Sequence, residues 1–314
     1  MAFVLRARTV STAFDILGLG AVAVDELIYV DAYPAADQKA DVLHTERQCG
    51  GLTATALVAA ARFGAKCAFA GVLGTDELSM FARQSMEREG ISLDHLLERP
   101  EARPVHSYIL VDQERSTRNI FADARGVAGA DPGWPSADLI RSSRVLFIDH
   151  VGLPGMIRAT KIAREAAIPR VADLERESGP GFHELLDLTD HLIISLRFAQ
   201  TLTGRTEAAE VVEHLWTTER DTVVVTAGEN GCWFKTRSTG SGVQHQIAFP
   251  VGTVDTTGCG DVFHGVYAAA LAENLPVQRR ILLASAAAAL KATQPGGQAG
   301  IPTRTALEKF ITRS

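Results

Sequence analysis

Cysteine is scarce. Cys49, Cys67, Cys232 and Cys259 are the whole set, and no two of them form a C-x-x-C pair. That spacing excludes a disulfide framework and a thiolate zinc site, and it fits the reducing cytoplasm. The nine histidines make no H-E-x-x-H and no close ligand pair, so a zinc centre is not expected. There is no dense run of Lys or Arg, no basic face interleaved with aromatics, and the net charge is −6. These absences argue against nucleic acid as a partner. Long apolar runs are missing too: residues 281–290 are the most apolar late stretch, but they are alanine-rich and too few to span a bilayer. Residues 1–12 carry Arg6 and Arg8 without the apolar core of a secretory signal. They read as a loosely packed start to a cytoplasmic protein with no membrane partner.

What is present suits one large α/β domain. The chain has 314 residues, 46% hydrophobic and 22% charged, enough to bury an ample core. Residues 14–20 read as a buried first strand. Gly18-x-Gly20-x-x-Ala23 inside and after it matches a dinucleotide-binding fingerprint, but that fingerprint needs a helix immediately afterwards. The alternating, β-branched residues 22–30 read as a second strand instead, which removes the nicotinamide reading. Asp25, between the two strands, is either a turn residue or an acceptor for ligand hydroxyls. Gly50-Gly51 opens a helix over 52–63 that Gly64 stops. A strand over 66–74 and a helix over 81–89 follow, and from residue 145 strands and helices alternate again. This order predicts a parallel sheet with helices on its faces. Asp149, Asp173, Ser195 and Thr226 all fall at strand C-terminal ends, where ligands gather in doubly wound sheets. Two strand-rich stretches, roughly 26–49 and 103–126, interrupt the alternation. Paired, they would form a small sheet whose apolar face must cover a site or meet a second subunit.

The chemistry concentrates in Asp255-Thr256-Thr257-Gly258-Cys259-Gly260-Asp261, which runs straight into an apolar helix. Glycines ahead of a helix let bare amides turn toward a ligand, and the helix dipole adds positive potential there. Such a turn suits the charge that develops in phosphoryl transfer. Asp261, in the first turn, either complements the dipole or takes a proton from an attacking hydroxyl. His264 shares its helix face and reads as a buried, hydrogen-bonded structural residue. Cys259, at a helix N-terminus, is a candidate for a lowered thiol pKa.

Taken together, the chain resembles the ribokinase-like, or PfkB, family of carbohydrate kinases along nearly its whole length. The resemblance rests on Asp255 to Gly265, on Gly50-Gly51 with Phe69-Ala70-Gly71-Val72-Leu73-Gly74-Thr75-Asp76, and on the closing loop Lys291 to Pro302. It implies one domain over 1–314: a doubly wound, mostly parallel α/β sheet flanked by helices, with the two insertions forming a β-sheet lid that also builds a homodimer. It implies transfer of the ATP γ-phosphate to a hydroxymethyl group of a small-molecule sugar or nucleoside. Asp261 would then be the base, and the amides of Gly258, Cys259 and Gly260 the anion hole. Asp25, Gly50, Gly51 and Thr55 would hold substrate. Thr226, Gly228, Gly231, Thr256 and Ser195 would lie on the nucleotide side. Asp255, Gly296 and Gly300 resemble the family's potassium site.

There are departures. Where the family carries Asn-x-x-Glu for magnesium and phosphate, this chain has Ser195 and Phe198. Phe198 offers no oxygen to a hard cation, so magnesium is expected through water on Asp173, Glu175 or Asp255. The C-terminal part looks like the sulfofructose kinase branch, which would call on Lys39 and Arg118 for a substrate anion. Two further readings stand beside the sugar kinase: an adenosine-type nucleoside kinase of the same fold, and a sugar-binding sensor with weakened catalysis.

Overall fold

The computed structural model describes residues 12–115, 117–240 and 242–313. Residues 1–11 of the expected loose start lie outside them. The chain opens with β1 (Phe14–Leu19), β2 (Ala23–Val30) and β3 (His44–Gly50), then α1 (Leu52–Phe63) and β4 (Cys67–Phe69). β5 (Val72–Leu73), α2 (Glu77–Arg88), β6 (Leu97–Glu98), β7 (Val105–Asp112) and β8 (Thr117–Asp123) follow. Next come α3 (Ala137–Arg141), β9 (Ser143–Asp149), α4 (Leu153–Glu165), β10 (Arg170–Asp173), α5 (Phe182–Asp187) and β11 (His191–Ser195). α6 (Leu196–Thr203), α7 (Ala208–Leu215), β12 (Thr222–Thr226), β13 (Cys232–Thr236) and β14 (Gln244–Gln246) lead to α8 (Cys259–Ala272), α9 (Val277–Lys291) and α10 (Arg304–Arg313).

Eight strands form the central sheet in the order β14-β13-β12-β11-β10-β9-β1-β4. The strands from β12 to β4 run parallel, and β13 and β14 add an antiparallel edge. Strands buried on both faces need a helical layer on each side. One layer packs α1, α2, α8 and α9 against the sheet around Phe69, Phe147 and Tyr267. The other packs α3 to α7 around Leu146, Ile148 and Phe182. Register brings the rim together: Asp149 pairs with Asp173, and Ser195 with Thr226.

The stretch expected as one strand over 66–74 is broken. After β4 the chain leaves the sheet, and β5 pairs with β6 instead. Gly71 permits the departure, because a Cβ there would run into the Phe69 ring. The helix expected over 81–89 begins at Glu77, because the Asp76 side chain accepts from the Ser79 amide at 2.8 Å and caps it early. Among the helices that went unread, the short α3 and α6 each start at a serine cap, Ser136 and Ser195.

The two strand-rich insertions do pair, into a four-stranded sheet of order β3-β2-β7-β8. Its register puts Asp25 beside Gln48 and Ser107, and Tyr29 in line with Val111 and Arg118. With side chains alternating along each strand, Asp25, Gln48, Ser107 and Arg118 all share one face. Tyr108 and Phe121, cross-paired on the opposite face, are 44% and 53% exposed.

Candidate active site

The Asp255–Asp261 motif forms the turn ahead of α8. Gly258 has φ +75°, and a Cβ there would lie 2.6 Å from the Gly297 carbonyl. The close approach of the closing loop therefore demands glycine at this position. Around Gly260 no atom lies within 4 Å of a Cβ, so its side faces open space, as an anion seat at a helix N-terminus requires. Asp255 organises the turn. Its Oδ1 accepts from the Thr257 amide (2.8 Å) and hydroxyl (2.7 Å), and its Oδ2 accepts from the Gly296 amide (2.9 Å).

Asp261 sits half-buried in the first turn of α8, facing Asp173 at the end of β10. Both carboxyls are held well above the ordinary range. Removal from water is the main cause; Glu175 and Asp149 add to it at Asp173, and Asp173 and Glu175 add to it at Asp261. The two aspartate side chains lie close enough to interact directly. His264 braces them from below. Its Nδ1 lies 2.8 Å from the Gly260 carbonyl and 3.3 Å from Asp173 Oδ2, and its Nε2 lies 2.9 Å from the Ile193 carbonyl. Burial lowers the pKa of this ring against the pull of those two carbonyls and of Glu175; held from both nitrogens, it is a structural strut, as its sequence position suggested.

Asp149 makes a second bracket on the rim. It accepts from the Ala21 amide at 2.6 Å, the Val151 amide at 2.7 Å and the Thr53 hydroxyl at 2.8 Å. Burial pushes its carboxyl up to about 6 against those donors. The bracket fixes the turn between β1 and β2 to the start of α1, and a side chain at Gly20 would collide with it. Sequence reading placed Asp149 on the rim but missed this partnership.

Among the described residues no three His, Cys, Asp or Glu side chains are arranged to hold a metal directly. The buried Oδ2 of Asp173 nevertheless lacks a hydrogen-bond partner, and three carboxyls converge there. That donor set fits a hydrated magnesium ion, which keeps several of its waters. Ser195 and Phe198 are spent otherwise: the Ser195 hydroxyl accepts from the Phe198 amide at 3.3 Å as the cap of α6. Phe198 is buried edge-on to Phe182 with centroids 5.9 Å apart.

Beside the turn lies a largely apolar cleft of about 870 Å³, lined by Thr226, Gly228, Gly231, Thr256, Cys259 and Gly260. All the expected nucleotide-side residues except Ser195 are therefore together. Its remaining wall was not foreseen: Phe249 and Val251 from the loop after β14, and Ser285, Ala288 and Ala292 from α9 and its end. The small alanines of α9 were the only available signal. Cys259 departs from expectation. Burial, with Asp255 and Asp261 close by, pushes its thiol up to about 11 despite Lys291 nearby, so it is not an activated nucleophile.

At the other end, Asp25 projects against Gly50, where a Cβ would come within 2.5 Å of its Oδ2. Burial raises the Asp25 carboxyl, opposed by a hydrogen bond from Ser107 and by His106. Gly51 has φ +95° and starts α1, with a would-be Cβ 2.7 Å from the Ala21 carbonyl. The buried Thr55 hydroxyl accepts from Gln298 Nε2 at 3.2 Å, and Gln48 Oε1 accepts from the Gly297 amide at 3.2 Å. Thr55 and Gln48 thus meet the closing loop, while Asp25 and Gly50 lie against each other and Gly51 against the β1–β2 turn. Lys39 stands exposed between β2 and β3. Arg118 is committed, with Nη1 3.1 Å from Asp255 Oδ1. Gly296 and Gly300 do surround Asp255 and Lys291: a Cβ at Gly300 would lie 2.8 Å from the Lys291 carbonyl. A cation already sits there, since the Lys291 ammonium donates to the Asp255 carbonyl at 3.0 Å. The donor set therefore fits an added potassium ion poorly.

A doubly wound sheet with a small sheet over its rim, a glycine turn opening a helix and a carboxyl in that helix's first turn define the ribokinase-like fold. A model of the pfkB family carbohydrate kinases matches residues 19–304, and the chain belongs to that family. Its class is thus that of phosphotransferases with an alcohol group as acceptor. It is 29% identical over 311 residues to a bifunctional ribokinase/ribose-5-phosphate isomerase A of Fructilactobacillus sanfranciscensis, covering 95% of this chain but only 56% of that protein. It is 25% identical over 307 residues to the ribokinase of Haemophilus influenzae, covering 93% and 97% of the two chains. A solved structure of Arabidopsis thaliana ribokinase complexed with ribose and ATP superposes with a TM-score of 0.80 at 21% identity, covering 96% of this chain and all of that one (100%). Among the described residues no helix is long and apolar enough to cross a membrane.

Proposed function

We propose that the protein is an ATP-dependent sugar kinase that phosphorylates a hydroxymethyl group of a ribose- or fructose-like sugar. The observation that carries this reading is Asp261, which follows Gly260 in the first turn of α8, where Gly260 lines the apolar cleft and faces open space. A base needs a carboxyl whose affinity for protons is raised toward neutrality, and that is the direction in which Asp173 and Glu175 push Asp261. Asp261 accepts the hydroxyl proton. The amides of Gly258, Cys259 and Gly260, at the positive end of α8, stabilise the charge that builds on the transferring phosphoryl group. The adenosine end of ATP fits the apolar cleft between Gly228 and Ala288. Magnesium, held through water at Asp173, would neutralise phosphate charge. Asp25, Gly50, Gly51 and Thr55 orient the sugar, and the small sheet acts as a lid whose inner face carries Asp25. Its outer face, with Tyr108 and Phe121, supports a homodimer.

Arg118 is engaged with Asp255, which leaves Lys39 alone to meet a sulfonate, so an uncharged sugar is the preferred substrate over sulfofructose. The direct test is ADP release from MgATP across pentoses, ketohexoses, sulfofructose and nucleosides. Turnover with ribose or fructose is the expected result. A preference for adenosine would move the protein to the nucleoside kinases, and sugar-induced stabilisation without ADP would make it a sensor.

A further inference from the structure

Lys291 is the last residue of α9 and has no exposed surface, although an isolated ammonium in a protein interior is strongly disfavoured. Its setting explains how it is tolerated. Nζ donates to the Asp255 carbonyl at 3.0 Å; burial lowers the pKa of the ammonium, and Cys259, Asp255 and Asp261 close by oppose that shift. The same residue's backbone closes the loop around it: the Lys291 carbonyl accepts from the Gln294 amide at 3.1 Å, and the Gly296 amide donates to Asp255 Oδ2 at 2.9 Å. The ammonium is thus enclosed between the motif turn and the closing loop, directly behind the amides at the start of α8. A monovalent cation bound from solution in this enclosure would need the Asp255 carbonyl that Lys291 uses and would meet a like charge at contact distance.

Resting on the kinase reading of the same turn, we infer that Lys291 is a tethered monovalent cation: its ammonium holds the Asp255–Gly260 turn and makes the protein independent of potassium. Lys291 touches neither the cleft nor the reacting atoms; it positions the anion seat and adds positive potential behind it. A structural lysine would merely fill space. A cation substitute predicts something more specific, namely that its removal creates a potassium site.

The test uses the full chain, Lys291→Ala and Lys291→Gln, freed of alkali ions in tetramethylammonium buffer. ADP release from MgATP with D-ribose and D-fructose is measured against added KCl, NaCl and more tetramethylammonium chloride at constant ionic strength, alongside Tm in each salt. The unaltered protein is expected to turn over at the same rate in all three salts, with no potassium-specific rise in Tm. Lys291→Ala is expected to lose about 10²-fold in rate and to recover most of it in KCl alone. Potassium should also raise the Tm of that variant by about 2–4 °C. Potassium activation or a potassium-specific Tm rise of the unaltered protein overturns the inference, and no variant need fold for that result. Folded variants that gain neither rate nor Tm from potassium overturn it equally. If the unaltered protein releases no ADP with either sugar in any salt, the kinase reading is what fails, and the Tm comparison still decides the role of Lys291.

Discussion

Arg118 on β8 and Asp255 ahead of α8, 137 residues apart in the chain, form an ion pair with Nη1 3.1 Å from Oδ1. The pair fastens the hairpin of the small sheet to the turn that carries the anion seat. Partly exposed pairs of this kind stabilise a protein by only ~0–1 kcal/mol, so its effect should lie in the site. Arg118→Ala is expected to leave the urea midpoint nearly unchanged while raising the KM for sugar several-fold. Steady-state kinetics beside urea unfolding checks this, and an unaltered KM would show that the hairpin is not tethered through this pair.

Asp261→Asn separates chemistry from folding. The substitution removes the proton acceptor and also one partner in the repulsion among Asp173, Glu175 and Asp261. Turnover should fall by about 10²–10⁴-fold, while Tm holds or rises and ATP still binds. Near-normal kcat would remove Asp261 from the role of base.

Gly260→Ala probes the anion seat. The added methyl meets no protein atom within 4 Å, and alanine in a helix is up to ~1 kcal/mol more favourable than glycine. The variant is therefore expected to be at least as stable as the parent but to bind ATP more weakly, since the methyl enters the space a phosphate would use. Calorimetric ATP affinity equal to the parent's would mean that this face of the turn does not meet the nucleotide.

His191 gives a pH dependence with a definite sign. Its Nδ1 lies 3.0 Å from the Tyr267 hydroxyl, and burial, with Arg280 and Arg170 nearby, lowers its pKa to about 3. The unfolded chain binds a proton at this ring below about pH 6.5 and the folded one does not. Stability from this group is therefore full above that pH and is lost as pH falls toward 3. Asp149 and Asp190, both raised to about 6, act in the opposite direction over roughly pH 4–6, so the contribution must be read as a difference. His191→Gln should reduce the loss of unfolding free energy between pH 7.5 and 5 by about 1–2 kcal/mol relative to the parent. Parallel urea-derived profiles for the two proteins would contradict it.

Local signals carried far in this chain. The alternation of strands and helices from residue 145 was legible, and β10, β11 and β12 fall within it, because short apolar runs bounded by polar residues have few other ways to bury themselves. The turn at Asp255–Asp261 and the helix after it were legible for the same reason: two glycines and an apolar periodic run fix the backbone without reference to anything distant. The boundaries that failed, at Glu77 and Gly71, failed where one side chain, the Asp76 cap or the Phe69 ring, outweighed the apolar pattern.

By itself, then, the sequence determined the alternating α/β order, the glycine turn and the presence of a carboxyl in the first turn of α8, since each depends on neighbours within a few residues. Tertiary structure alone decided that Arg118 pairs with Asp255, that Lys291 turns its ammonium inward onto the same residue, and that the Cys259 thiol is held protonated. It also decided that the unforeseen wall of α9 completes the cleft. Those outcomes turn on burial and on distances between residues far apart in the chain, and electrostatic energy depends on separation in space, which no local pattern of residues encodes.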